Sequence, residues 1–444
     1  MDKKIQLSDH FTYGKLIRFT LPSIAMMIFT SIYSVVDGFF VSNFAGKTAF
    51  ASVNFIMPVL MILGTVGFMI GTGGSALVGK TLGEGDKERA SRLFSLFVYT
   101  AFIAGVVISV IAFIFIRPIA VLIGADESMI DYCVVYGRII IAANPLFILQ
   151  MMFQSFFITA EKPKLGLYST VIAGVANMVL DAVLVGALKM GVVGAALATA
   201  ASQAAGGLIP IIYFMRPNTS LLRLTKTSFD GRAIIKACSN GISELLSNIS
   251  MSVVGLLYNA QLIKYGGEDA VAAYGVLLYV SMIFSGAFIG YVVGTAPIVS
   301  FNYGAQNRGE LKNMRKKSIS LILICSVCMV LLSEALAVPL SNMFAGYDED
   351  LLEMTIGAFR IYSFSFLFMG IAIYGSSFFT ALNNGLISAL ISVLRTVVFQ
   401  VAAILIMPLI WGVDGIWYSI VVAEVCAVAV AVIMLVTQQK KYGY

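Results

Sequence analysis

The stretch VIAGVANMVLDAVLVGAL, residues Val171–Leu188, decides the fold. It is apolar and long enough to cross a membrane as a helix, yet it contains Asn177 and Asp181 four positions apart. On a helix this spacing places both side chains on one face. A carboxylate in the middle of such a segment costs about 2.5–3.5 kcal/mol to insert, so it is retained chiefly where it has a function. The stretch therefore predicts a membrane helix that carries part of a functional site.

The composition extends this interpretation to the whole chain. Of the 444 residues, 59% are hydrophobic and 12% are charged, whereas soluble domains have about 25% charged residues. Apolar runs of membrane-spanning length occur twelve times. We predict an all-α polytopic membrane protein with twelve transmembrane helices in two pseudo-symmetric six-helix bundles. The predicted spans are Leu16–Phe44, Ala49–Leu77, Leu93–Ile116, Met129–Phe157, Leu167–Leu188, Val192–Phe214, Ile242–Tyr265, Val271–Phe301, Ser318–Leu340, Leu351–Ala381, Leu386–Trp411 and Ile416–Val436.

Basic residues are concentrated on one side of this arrangement. With an even number of spans, both termini and every second loop lie on the same side, and these segments contain 22 of the 29 Lys and Arg residues. The positive-inside rule assigns that side to the cytoplasm. We therefore predict a multi-pass protein of the cell (inner or plasma) membrane with both termini cytoplasmic. The net charge of +6 follows from this asymmetry and does not indicate a nucleic-acid partner.

The chain is an internal duplication. The segment Arg117–Arg138 recurs as Val338–Arg360, with an offset of 222 residues between the two terminal arginines. Such an offset, about half the chain, predicts two halves of six helices in the same orientation, a plan in which transporters place the substrate site between the halves. The predicted parts are an N-terminal six-helix lobe with the cation site (1–215), a cytoplasmic connector (216–238) and a C-terminal six-helix lobe (239–444).

Acidic residues distinguish the first half from the second. Asp37 lies in the first span and Asp181 in the fifth, whereas the corresponding positions of the second half are Gly255 and Ala403. A requirement of packing would tend to recur in both halves. The asymmetry therefore favours an ion site, although a carboxylate that only hydrogen-bonds a neighbouring helix is the simpler alternative.

Oxygen-bearing groups complete the predicted ion site. Asn177 supplies an amide oxygen, and Ala195 and Thr199 share one face of the sixth span, where Thr199 supplies a hydroxyl. An all-oxygen set suits a hard cation such as Na⁺. Intramembrane carboxylates also serve as proton carriers, so H⁺ is equally open.

Several motifs, in this order and spacing, resemble the multidrug and toxic compound extrusion (MATE) family. They are YSVVDGFFV (Tyr33–Val41), the loop LGEGDKERA (Leu82–Ala90), NMVLD (Asn177–Asp181) and YGAQNRGEL (Tyr303–Leu311), the counterpart of that loop. The similarity covers the whole chain and includes the duplication and an early proline, Pro22. In bacterial members it implies a Na⁺ or H⁺ site, which here falls on Asp37, Asn177, Asp181, the Ala195 carbonyl and Thr199.

The resemblance also implies an activity. Members export cationic, lipophilic compounds against the coupling ion, which predicts a secondary antiporter that works by alternating access and is not an enzyme. We expect small-molecule cationic substrates, membrane lipids as surroundings, no ATP, no cofactor other than the coupling ion, and a monomer. Pro22 removes a backbone hydrogen bond from the first span and is the predicted hinge.

Four alternatives compete with this prediction. The alternative for the fold is a twelve-span facilitator of the other common six-plus-six plan, whose usual basic loop after the second helix LGEGDKERA (Leu82–Ala90) does not resemble. A flippase for a lipid-linked precursor, from the same wider superfamily, would be expected to show more cationic residues in its cavity to hold pyrophosphate. A membrane enzyme lacks any nucleophile–base or metal-ligand set in this sequence. A receptor would explain neither the duplication nor the one-sided carboxylates.

Charged residues within spans of the second half have separate predicted roles. Glu244, at the start of the seventh span, is a candidate for binding a cationic substrate or a second ion, and an interfacial, solvated Glu is the alternative. Arg395 has no evident partner in the sequence, and a structural pairing and a cavity-lining role are both open. Glu334 and Glu424 are predicted to form interhelical hydrogen bonds. The tenth span has only Glu353, near its outer end, which argues against an ion site in this half.

Three further patterns have simpler explanations. GSALVGKT (Gly74–Thr81) matches a phosphate-loop motif, but it ends a membrane span instead of joining a strand to a helix. The spacing of Gly286, Gly290 and Gly294, and of Gly67 and Gly71, predicts close helix packing within each half. The single histidine, His10, precedes the first span and is predicted to be solvated, and the five cysteines are predicted to pack without disulfides.

Overall fold

The computed structural model describes residues 5–44, 47–346 and 348–444, and within these ranges almost every residue is helical and no strand occurs. Two π-helices, Asp181–Ala187 and Leu394–Phe399, continue α5 and α11. The α-helices are α1 (Tyr13–Phe44), α2 (Lys47–Gly83), α3 (Lys87–Leu122), α4 (Glu127–Thr159), α5 (Pro163–Leu180), α6 (Gly191–Met215), α7 (Gly231–Gly304), α8 (Arg308–Ala345), α9 (Glu349–Ser363), α10 (Ser365–Ala381), α11 (Gly385–Val393), α12 (Gln400–Thr437) and α13 (Gln439–Tyr442).

Helix α7 contains two spans. Its 74 residues, if straight, would extend about 110 Å, more than twice the thickness of a bilayer with its headgroups. Gly267 breaks the helix with φ 68° and ψ −156°, a conformation that favours glycine. The predicted seventh and eighth spans, Ile242–Tyr265 and Val271–Phe301, lie on either side of this break.

A bend and a second glycine break define the last three spans. Helices α9 and α10 meet at a bend of 42° and together form the tenth span. Gly412, with φ 59°, interrupts α12 and separates the eleventh span from the twelfth. Divided at these glycines, the apolar helices of the described ranges give the twelve predicted spans, here numbered in chain order. The lobe bounds stay a prediction, and the predicted lobes include residues 1–4, 45–46 and 347, which lie outside the described residues.

Within the first half, glycines bring the second and fourth spans into backbone contact. A Cβ atom on Gly67 would lie 2.3 Å from the carbonyl oxygen of Ile148, and one on Gly71 would lie 2.9 Å from Cα of Met152. Small residues permit this close approach between membrane helices. The predicted packing role of these two glycines within one half is confirmed.

The glycines of the eighth span contact the other half instead. A Cβ atom on Gly290 would lie 2.5 Å from Cα of Ile24, and one on Gly294 would lie 3.0 Å from Cγ2 of Thr20, both on the first span. Gly286 faces the same span. The prediction that these three glycines pack within one half is therefore wrong, because their spacing identifies a smooth helix face but not the helix that covers it.

The two halves are also in contact at the ends of the spans nearest the termini. A Cβ atom on Gly73 would lie 2.0 Å from the carbonyl oxygen of Ala237, and one on Gly83 would lie 1.9 Å from the carbonyl oxygen of Phe301. These contacts hold the second span against the seventh and eighth. The space between the halves is consequently closed on the side of the termini.

The segment before the first span adds a connection on this side. The backbone N–H of Leu7 donates to Glu161 Oε1 in the first half at 2.8 Å, and that of Phe11 donates to Glu310 Oε1 in the second half at 3.0 Å. His10 Nδ1 lies 2.7 Å from Glu310 Oε2. The predicted solvated position of His10 is confirmed, since 69% of its side chain is exposed, and its contact with Glu310 is a feature that the sequence did not indicate.

Towards the opposite ends, three glycines have open space beside them. A Cβ atom added to Gly38, Gly255 or Gly275, on the first, seventh and eighth spans, would meet no atom within 4 Å. The same three spans are in close contact nearer the termini. The close glycine contacts between the halves therefore lie towards the termini, and these three glycines add none at the opposite ends.

Candidate functional site

The site in the first half is built around an irregular turn of the fifth span. This span is α-helical over Pro163–Leu180 and continues as a π-helix over Asp181–Ala187, so that Asp181 begins the wider turn. Such π-helical turns often mark functional sites, because the inserted residue redirects the side chains around it. Asn177 lies one turn earlier, and its carbonyl oxygen accepts the Asp181 backbone N–H.

The structure brings four of the five predicted ion ligands together. The Asp37 carboxyl group interacts with the side chains of Asp181, Asn177 and Thr199, which come from the fifth and sixth spans. Ala195 lies one turn before Thr199 and is fully buried, so its carbonyl oxygen stays a predicted ligand.

The oxygens of this cluster are buried without hydrogen bonds. Within the described part of the chain, this holds for Asp37 Oδ1, Asn177 Oδ1, both carboxylate oxygens of Asp181, and Thr199 Oγ1. Asp181 is 0% exposed and Asn177 is 2% exposed. Each buried polar atom without a partner costs about 1–3 kcal/mol, so a concentration of five calls for an explanation. A cation bound among these oxygens, whether Na⁺ or a proton, would satisfy them.

The prediction from sequence missed two tyrosines that face this cluster. Tyr136, in the fourth span, interacts with Asp37, Asp181 and Thr199, and its buried hydroxyl has no hydrogen-bond partner in the described chain. Tyr33, one turn before Asp37, interacts with that carboxylate and with Gln150. A lone tyrosine in an apolar run resembles an interfacial residue, so its position in the sequence gave no signal.

The second half contains an ion pair between Arg395 and Glu424, the structural pairing that the sequence left open for Arg395. Arg395 Nε lies 3.0 Å from both carboxylate oxygens of Glu424, and Arg395 Nη2 lies 2.8 Å from Glu424 Oε1. Arg395 is the second residue of the π-helix Leu394–Phe399 in the eleventh span. Of the two roles left open for Arg395, the structural pairing is observed, and the predicted interhelical bonding of Glu424 is confirmed. Glu334 also bonds as predicted, since it accepts the Ser363 hydroxyl at 2.5 Å.

A cavity of about 170 Å³ lies between the halves, in the part of the spans nearer the termini. Thr72 and Ser75 of the second span line it from the first half, and Glu244 and Asn248 of the seventh span line it from the second. Arg395 reaches the same cavity but is neutralised by Glu424. Glu244 therefore gives this cavity a net acidic character.

Two other predicted features lie in continuous helix. Pro22 is buried inside α1, which remains helical on both sides of it. The phosphate-loop match Gly74–Thr81 lies within α2, so its backbone N–H groups do not form the non-helical cradle that phosphate binding requires.

Comparisons with known proteins agree with this geometry. The family model described as MatE matches residues 22–183 and 245–406, once in each half. The Multidrug export protein MepA of Staphylococcus saprophyticus subsp. saprophyticus is 24% identical over 428 residues, covering 96% of this chain and 94% of that protein. The protein of the same name from Staphylococcus haemolyticus is 25% identical over 418 residues, covering 94% of this chain and 91% of that protein.

A solved structure shares the fold over nearly its whole length. It is described as the outward-facing conformation of a multidrug resistance MATE family transporter of the MOP superfamily. The TM-score is 0.90 at 22% sequence identity, covering 100% of this chain and 99% of that one. At this identity the comparison establishes the twelve-helix fold.

Proposed function

The chain belongs to the MatE family, and we propose that it is a secondary antiporter that exports cationic, lipophilic compounds in exchange for Na⁺ or H⁺. The related proteins named as multidrug export proteins support this class of activity. The proposal places the protein in the cell membrane with both termini in the cytoplasm, as a monomer that uses no ATP.

The observation that carries the proposal is the cluster of buried oxygens without partners at Asp37, Asn177, Asp181 and Thr199. Two carboxylates close together in a low-dielectric interior repel each other unless a cation or a proton lies between them. Asp37 is only half-buried, which gives an ion a route to the enclosed Asp181. The site thus has a donor set and an entry for the coupling ion.

The cavity between the halves is the proposed site for the exported compound. Glu244 provides a negative charge for a cationic group, and Met251 and Ile289 add apolar surface. The pairing of Arg395 with Glu424 leaves this cavity without a free cation in the described chain, which disfavours the alternative flippase, since a lipid-linked pyrophosphate needs one.

Coupling requires that the ion and the exported compound prefer different conformations. The proposed cycle has an inward-open and an outward-open conformation. We assign the structure, in which glycine contacts hold the halves together on the side of the termini, to the outward-open one. An ion entering from outside binds at Asp37 and Asp181 and lowers the affinity for the compound, which leaves outward. The ion-loaded protein then returns to the inward-open conformation.

Pro22 is the proposed hinge of this cycle. It lies 15 residues before Asp37, about 22 Å along the helix axis. A bend at Pro22 would displace the half of the first span that carries Asp37. Pro22→Ala is expected to slow transport, and unchanged transport in this variant would contradict the hinge.

The experiment that tests the proposal measures uptake of a fluorescent lipophilic cation into everted membrane vesicles under an imposed Na⁺ or H⁺ gradient. We expect one gradient to drive uptake in the unaltered protein, and Asp37→Asn and Asp181→Asn to abolish it. Asp131→Asn, the same change at an exposed carboxylate, is the matched control and should leave uptake intact. If neither gradient drives uptake, the antiporter assignment fails.

A further inference from the structure

A second cavity, of about 550 Å³, lies at the end of the first and fifth spans nearest the termini. It is about three times the volume of the cavity between the halves and is separate from it. The residues on which the argument depends are Arg18, Phe19, Pro22, Lys162, Lys164 and Tyr168.

Three cationic side chains line this cavity. Arg18 comes from the first span, while Lys162 and Lys164 come from the start of the fifth. Lys162 Nζ donates to Thr219 Oγ1 at 2.8 Å, which fixes its ammonium group at the rim. One carboxylate is also present, that of Glu161, and its Oε1 accepts the Leu7 backbone N–H at 2.8 Å. The formal charge of the lining is therefore positive.

The start of the fifth span adds a further positive contribution. Helix α5 begins at Pro163, and its N-cap residue, Lys162, forms no side-chain capping hydrogen bond. Pro163 has no backbone N–H, and the N–H groups of Leu165 and Gly166 donate to the Lys162 carbonyl oxygen, so the helix dipole and the N–H of Lys164 are what this end offers to an anion. Pro163 and Lys164 both line the cavity, so this helix end faces the same space as the three cations.

The remaining wall is apolar and reaches towards the bilayer. Phe19 and Pro22 contribute from the first span, and Leu165 and Tyr168 contribute from the fifth. Tyr168 is 59% exposed, as is typical of tyrosines at the level of lipid headgroups. A ligand that fits this cavity combines an anionic head with a hydrocarbon tail.

We propose that this cavity binds an anionic phospholipid from the leaflet on the side of the termini. Its phosphate lies against Arg18, Lys162 and Lys164 at the start of α5, and an acyl chain follows Phe19 and Tyr168. Basic pockets between membrane helices bind anionic headgroups in this way. The lipid bridges the first and fifth spans, which carry Asp37 and Asp181, and the inference does not depend on the transport activity proposed above.

The experiment is a titration of the detergent-purified full chain with phosphatidylglycerol, followed by native mass spectrometry of the lipid-bound states. Lys164 is the residue to change, because its exposed side chain forms no hydrogen bond or ion pair in the described chain. We expect Lys164→Gln to weaken binding about fivefold, the factor that corresponds to about 1 kcal/mol for one basic residue near an anionic surface. Lys164→Arg should bind as the unaltered protein does.

Two controls separate the outcomes. Lys312→Gln changes an exposed lysine on the same side but outside the cavity, and it should bind like the unaltered protein. Phosphatidylcholine should bind equally to all variants, and inorganic phosphate should not displace phosphatidylglycerol, because it lacks the chain. Equal phosphatidylglycerol binding by Lys164→Gln and Lys312→Gln would overturn the proposal, as would full displacement by phosphate alone. A matching thermal unfolding temperature for each variant establishes that it is folded.

Discussion

Arg395 and Glu424 form an ion pair between the eleventh and twelfth spans, with nitrogen–oxygen distances of 2.8 and 3.0 Å. The Glu424 side chain is 0% exposed and that of Arg395 is 18% exposed. Each side chain is therefore tolerated in the membrane because the other is present. The pair joins two consecutive helices on either side of the Gly412 break, where the backbone alone provides little continuity.

Removing one member of this pair is expected to destabilise the protein. Glu424→Gln removes the carboxylate that hydrogen-bonds the guanidinium of Arg395 and leaves it only the interaction with Glu244 across the cavity, and breaking a buried pair costs about 3–5 kcal/mol. The measurement is thermal unfolding of the purified protein in detergent. The double variant Arg395→Leu with Glu424→Leu should recover most of the lost stability, because both charges are then absent. Asp131→Asn, which breaks an exposed pair with Arg117, is the control and should change stability by less than about 1 kcal/mol. If Glu424→Gln matches this control, the pair is not structural.

The contact between the first and eighth spans is expected to control opening on the side of the termini. Gly290→Leu places a side chain where a Cβ atom would already lie 2.5 Å from Cα of Ile24, so it should separate the two spans. Cys238, a half-buried residue near the contact between the second and seventh spans, reports this opening. We expect its labelling by a maleimide, in a chain without the other four cysteines, to accelerate several-fold.

Gly255→Leu provides the matched comparison for this change. It introduces the same side chain at a glycine whose Cβ would meet no atom within 4 Å. Labelling of Cys238 should keep its original rate in this variant. Equal acceleration in both variants would mean that the effect comes from general loosening and not from the contact between the halves.

Binding of the coupling ion is expected to stabilise the fold. Five buried oxygens have no hydrogen-bond partner in the described chain, and a bound cation would remove the cost of leaving them unsatisfied. At an ion concentration of about 100 times the dissociation constant, the stabilisation is about 2.7 kcal/mol. Thermal unfolding in NaCl compared with choline chloride at equal ionic strength measures it for Na⁺. The increase should disappear in Asp181→Asn, and its absence in the unaltered protein would favour H⁺ as the coupling ion.

Tyr136 is expected to contribute to ion affinity. Its hydroxyl faces both carboxylates and Thr199, and hydrogen bonds to charged groups contribute about 1.5–3 kcal/mol. Tyr136→Phe should therefore weaken the apparent affinity for the driving ion about tenfold in the vesicle assay, without preventing folding. Tyr132→Phe, one turn earlier on the same helix and 44% exposed, should have no effect. An equal affinity in the two variants would remove Tyr136 from the site.

Local patterns in the sequence were sufficient to predict the spans and to bring together Asn177 and Asp181, at the centre of the proposed ion site. Apolar runs of fixed length are required to cross a bilayer, so their number follows from the sequence. Even the turns at Gly267 and Gly412 fall between predicted spans. Asn177 and Asp181 could be paired because residues four positions apart in a helix lie next to each other on one face.

Partners on different helices could not be predicted in this way. Arg395 and Glu424 are 29 residues apart, and their contact depends on how two helices meet after a break. Tyr136 reaches the ion site from the fourth span, where no periodic signal distinguishes it. The eighth-span glycines were recognised as a packing face, but their partner depends on the arrangement of the two halves.

The central claim is that an ion at Asp37 and Asp181 and a cationic compound between the halves compete through the conformation of the protein. The most direct test measures the affinity of the purified protein for a fluorescent lipophilic cation, with and without Na⁺ and at two pH values. We predict that one of the two ions weakens this affinity, and that the compound weakens ion binding by the same factor, since linkage is reciprocal. The effect should vanish in Asp181→Asn. An affinity unchanged by Na⁺ and by pH in the unaltered protein would contradict the account.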